Sequence, residues 1–74
     1  MKRHELLRHL RFHGCFLKRE GAKHSLHQNP ANGRVEAVPR HIEIDNRLVE
    51  KICKRLEIPL PKEMTGQDLR VKKD

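Results

Sequence analysis

Apolar residues in this chain fall into short stripes whose period changes along its length. From Lys2 to His13, Leu6, Leu7 and Leu10 recur at helical spacing, while Glu5, Arg8 and Arg11 fall away from them. This segment predicts a helix, and Gly14 stands where a helix stop is expected. Cys15 to Glu20 (CFLKRE) is too short for a helix and is flanked by glycines, so it predicts a strand. Gly21-Ala22-Lys23 is a tight connection, and His24 to Gln28 predicts a second strand. Strict alternation there would aim Leu26 at the core, and with it His24, which has the same parity. Asn29 to Gly33 is a turn signal, because Asn32-Gly33 tolerates positive φ. Arg34 to Val38 predicts a third strand, ended by Pro39. The helical period then returns. Leu48, Val49, Ile52, Cys53 and Leu56 line one face, Arg47, Lys51, Lys54 and Arg55 lie opposite, and Asp45 is placed to cap the start. Pro59 and Pro61 bar continuation. Residues Lys62 to Asp74 carry mixed charge and little to bury, so the pattern predicts one domain over 1–61 and a frayed tail over 62–74.

Helix, three strands, helix is an α+β order. Two amphipathic helices on one face of a three-stranded antiparallel sheet would bury both stripes and leave the other sheet face open to a ligand or partner. At 74 residues there is room for one small core only.

Charge narrows the choice of partner. Seventeen Lys and Arg against ten Asp and Glu give a net charge of +7, which favours a polyanion. A membrane surface would call for an amphipathic helix with bulky anchors, yet the chain has no Trp, no Tyr and two Phe. The same shortage argues against base-stacking platforms and leaves contact through phosphates and nucleic-acid shape. The opening MKRHELLRHLRFHG builds no apolar run of signal-peptide length, which predicts a cytoplasmic protein. Cys15 and Cys53 form no C-x-x-C pair and read as buried free thiols.

Six histidines concentrate the candidate chemistry. His9 and His13 share a helix face, but no third ligand completes a metal site at obvious spacing, so they read as solvated surface. His24 stands beside Lys23 and across a hairpin from Lys18 and Arg19. Its turn could also bring backbone amides toward an anion. Neighbouring positive charge opposes protonation of an imidazole, which suits it to accept a proton. RNA supplies its own nucleophile in the 2′-hydroxyl, so a histidine with cationic neighbours covers much of what cleavage needs without a metal or cofactor. A histidine merely packed at a strand end is the competing reading.

Several segments together carry a family likeness. These are K-x-x-E-L-L-x-x-L at Lys2 to Leu10, G-C-F-L-K-R-E at Gly14 to Glu20, G-A-K-H at Gly21 to His24, N-G-R-V at Asn32 to Val35, V-P-R-H at Val38 to His41, and E-I-D followed by I-C-K-R-L-E-I-P. In order and spacing the chain resembles the HicA mRNA-interferase toxins from Met1 to about Leu60. The resemblance implies a double-stranded-RNA-binding-domain-like α-β-β-β-α fold, metal-independent cleavage of mRNA, and inhibition by a HicB-type antitoxin. The last residue of the family's G-S-x-H stretch is its catalytic histidine, and His24 holds that position, with Ala22 in place of the serine. His41 matches the histidine of V-P-x-H, either as a second proton carrier or, the favoured role, as a residue holding the loop before the second helix. Lys23 and Arg19 are candidate phosphate contacts by proximity, and Lys51 and Arg55 candidate guides for the RNA backbone. A non-catalytic RNA-binding module of the same fold, or a basic module for an acidic protein partner, are the other function classes. The G-x-x-H histidine is what separates the first class from these. The sequence does not decide the oligomeric state, and a monomer is compatible with it.

Overall fold

The computed structural model describes residues 1–61, so the tail expected at 62–74 lies outside the described residues. Five elements follow in the order α1 (Arg3–Phe12), β1 (Phe16–Glu20), β2 (His24–Gln28), β3 (Val35–Pro39) and α2 (Asn46–Leu56). The strands form one antiparallel sheet in the order β1-β2-β3, which makes the fold α+β with its helices on one sheet face. No helix among the described residues is long and apolar enough to cross a membrane.

The two helices are closed differently, α1 by residues next to it in sequence and α2 by residues far from it. In α1, the Lys2 N–H donates to Glu5 Oε1 at 3.3 Å, and the carboxylate sits in the first turn where the helix dipole favours it. At the other end Gly14 takes φ +87°, which lets the Cys15 N–H return to the Leu10 carbonyl at 2.9 Å. Asp45 stands at the start of α2, but its carboxylate makes no capping hydrogen bond, contrary to the sequence expectation. The segment before α2 is held by the N-terminal strand-like residues instead. Ile44 N–H donates to the Met1 carbonyl, Arg3 N–H donates to the Ile42 carbonyl, and Lys2 and Glu43 form a bridge.

Leu6, Leu10, Cys15, Val38, Ile44, Val49, Ile52, Cys53, Leu56 and Ile58 form the core, with Leu7 and Leu48 half-buried at its margin. Both cysteines are free and buried, and burial, with Cys15 nearby, pushes the Cys53 thiol up to about 11.

The β2–β3 loop does more than reverse the chain. Asn29 Oδ1 accepts from the Ala31 N–H and Asn32 Oδ1 from the Arg34 N–H, which shapes the turn that ends at Gly33, φ +77°. The amide groups of both asparagines donate to the Leu56 carbonyl, at 2.8 and 3.0 Å. They thus cap the C-terminus of α2, where Glu57 turns left-handed at φ 60°.

The sheet reverses one sequence expectation. Ser25 and His27, not Leu26, face the helices and are buried. Arg3 makes this tolerable. From the first turn of α1 its Nη2 donates to Ser25 Oγ at 2.9 Å and its Nε to the Pro39 carbonyl at 2.8 Å. Ser25 Oγ in turn lies 3.1 Å from His27 Nε2. With the arginine donating to the hydroxyl, the hydroxyl is left to donate to a neutral His27, an assignment made from the network. Burial, then the charges of Arg3 and Arg11, lower the His27 pKa and favour that neutral ring. Leu26 and His24 consequently point to the opposite, open face of the sheet.

Candidate nucleic-acid interface

The open face can be read row by row from the strand register. Gln28 pairs with Phe16 on one side and Val35 on the other, Leu26 pairs with Arg19 and Ala37, and His24 pairs with Pro39. Residues directly opposite one another share a face, so Phe16, Arg19, Leu26, Ala37 and His24 belong to one surface. A bulge between Leu17 and Arg19 brings Arg19 opposite Leu26. Without it, the side-chain alternation would set Lys18 there and turn Arg19 to the helix side.

At the end of this face, Arg19, Glu20, Gly21, Ala22, Lys23, His24 and Leu26 line a shallow concavity of about 310 Å³. His24 is exposed, and among the described residues its ring makes no hydrogen bond. Arg19 and Lys23 are exposed and in no ion pair among those residues, so their charge is available to an anionic ligand. The Gly21 N–H is engaged within the turn, donating to the His24 carbonyl at 2.8 Å. The anion cradle expected from this turn therefore lacks that amide, and side chains provide the positive charge.

The structure brings His24, Arg19 and Lys23 together but places Lys51 and Arg55 elsewhere. Both project from the outer side of α2, on the sheet's helix-covered face, where Arg47, Glu50 and Lys54 join them around a separate open depression. Arg55 is also partly spent there, 3.8 Å from Glu36. His41 is exposed on the loop after β3, at the end of the sheet where His24 lies, since His24 pairs with Pro39. Among the described residues its ring makes none of the bonds that hold this loop, which come from Met1, Arg3, Arg40 and the Lys2–Glu43 bridge.

Two residues of consequence were not singled out from sequence. His27 is the histidine that is buried and shifted, and Arg40 ties the site's turn to the end of β3. Arg40 Nε donates to the Gly21 carbonyl at 3.1 Å and Nη2 pairs with Glu20. The V-P-R-H stretch contains Arg40, but nothing local in it indicates a contact 19 residues upstream. Among the described residues no three His, Cys, Asp or Glu side chains gather as a metal site. No protein-family model, curated protein or solved structure matches the chain.

Proposed function

We propose that this chain is a HicA-type toxin, an endoribonuclease that cleaves mRNA in the cytoplasm without a metal and is silenced by a HicB-type antitoxin. The observation that carries the reading is an exposed imidazole at the rim of a cationic concavity on the open sheet face of an α-β-β-β-α domain. An RNA strand laid on that face would meet Arg19 and Lys23 at its phosphates and His24 at the scissile linkage. His24, as general base, takes the proton of the 2′-hydroxyl as its oxygen attacks the adjacent phosphorus. The bond from phosphorus to the 5′-oxygen breaks, that oxygen takes a proton from a second acid or from solvent water, and the products are a 2′,3′-cyclic phosphate and a 5′-hydroxyl. Arg19 and Lys23 oppose the charge that builds on the phosphate oxygens. His41, exposed at the same end of the sheet, is the candidate for that second acid.

The test is RNA cleavage in excess chelator, comparing the wild-type chain with His24→Ala and checking the fold of both by circular dichroism. We expect cleavage by the wild type and none above background by the variant. Full cleavage by a folded His24→Ala protein overturns the assignment. Salt-dependent RNA binding without cleavage by the wild type would make the chain a binding module.

A further inference from the structure

We infer that Arg40, together with Glu20, is a positioning residue that fixes the turn carrying His24, an inference that rests on the function proposed above. His24 follows a connection of three residues between two strands, and short exposed turns move readily on their own. This one is braced from three sides. Gly21 N–H closes it onto the His24 carbonyl at 2.8 Å, Arg40 Nε holds the Gly21 carbonyl at 3.1 Å, and Arg40 Nη2 holds Glu20, the last residue of β1. A covalent link adds to these three. Arg40 follows Pro39, and Pro39 is the cross-strand partner of His24.

The geometry needs arginine. One planar guanidinium presents Nε to a carbonyl oxygen and Nη2 to a carboxylate at the same time, and a lysine ammonium cannot reproduce that fork. The placement also leaves His24 unobstructed. Glu20 pairs with Ser25, which sets it toward the helix side at the edge of the concavity, whereas His24 faces the open side. Both partners of the ion pair are about half exposed, at 42% for Arg40 and 54% for Glu20. Exposed pairs add little to global stability, so the effect of this clasp is local order of the turn.

The experiment compares wild type, Arg40→Lys and Glu20→Gln by amide hydrogen exchange and by steady-state RNA cleavage. The Gly21 amide is the internal reporter because its acceptor among the described residues is the His24 carbonyl. In Arg40→Lys we expect that amide to exchange on the order of tenfold faster while α2 core amides keep their wild-type rates. Cleavage should fall between about tenfold and a hundredfold in kcat with KM unchanged. Glu20→Gln, which leaves the bond to Gly21 in place, should fall between wild type and Arg40→Lys. Unchanged Gly21 exchange in Arg40→Lys overturns the inference. A raised KM with unchanged kcat also overturns it, because Arg40 would then be a phosphate contact. If the wild type cleaves no RNA, the proposed function fails, and the exchange measurement alone decides whether Arg40 orders the turn.

Discussion

Replacing Gly21 with alanine isolates how tightly the His24 turn is built. A Cβ at position 21 would stand 2.8 Å from the His24 carbonyl oxygen, and ordinary contact begins at about 3.4 Å, so turn and carbonyl must separate by about 0.6 Å. The neighbour is backbone and cannot swing aside as a side-chain tip would. That separation stretches the Gly21–His24 hydrogen bond, worth about 1 kcal/mol net. Local overpacking adds a comparable amount, for a total of about 1–3 kcal/mol. A domain of this size has about 3–9 kcal/mol in all, so the loss is easily measured. With no Trp and no Tyr in the chain, urea unfolding is best followed by circular dichroism at helix wavelengths. The midpoint should fall at unchanged m-value. Gly33→Ala is the control, since its Cβ would meet nothing and its cost comes from φ +77° alone. Both variants should be destabilised, but only Gly21→Ala should shift the His24 ring resonances. Gly21→Ala within about 0.5 kcal/mol of wild type, with an unmoved His24, would refute the steric argument.

Two further outcomes follow from the buried polar groups. The His27 pKa lies below its ordinary 6.5 in the folded protein, so the unfolded chain binds the proton more readily. Stability from this group is therefore complete above pH 6.5 and declines as the pH falls from 6.5 through the folded value, by at most about 1.4 kcal/mol per pH unit. The difference between wild type and His27→Gln across that window should show this slope, and parallel pH curves would count against it. Asn29→Ala removes a donor to the Leu56 carbonyl as well as the Asx turn, so thermal unfolding should reveal a loss of about 1–2 kcal/mol. Asn32 partly covers the same carbonyl and sets the lower end of that range.

The element order was legible because each element carries a local signal. The 3.6-residue stripes marked both helices, and Gly14 and the Asn29–Gly33 run marked the stop and the turn. What sequence misread is non-local. Leu26 looked like the core residue of β2 because it is the apolar one. Ser25 and His27 take the core side only because Arg3, more than twenty residues earlier, reaches in to satisfy them. Asp45 fits the preference for a capping side chain, yet contacts from Met1 to Arg3 organise the approach to α2. At the site, the proximity of Arg19, Lys23 and His24 was readable because a hairpin is a local object. The bulge that sets Arg19's face was not, and neither was the role of Arg40 or the displacement of Lys51 and Arg55 to another surface.

Both ends of α2 are closed by chain that lies far away in sequence. Residues 1–3 hold the approach to its first turn, and the asparagines of the β2–β3 loop cover its last carbonyl. A surface helix commonly frays from its termini, losing a turn at a time while the rest of the domain stands. Here neither end can loosen without detaching the N-terminal segment or the hairpin loop. Partly unwound states thereby cost nearly as much as complete unfolding, and the domain should open as a single cooperative unit. Such all-or-none behaviour means that slow-exchanging amides in α2 and in the centre of the sheet share one opening free energy.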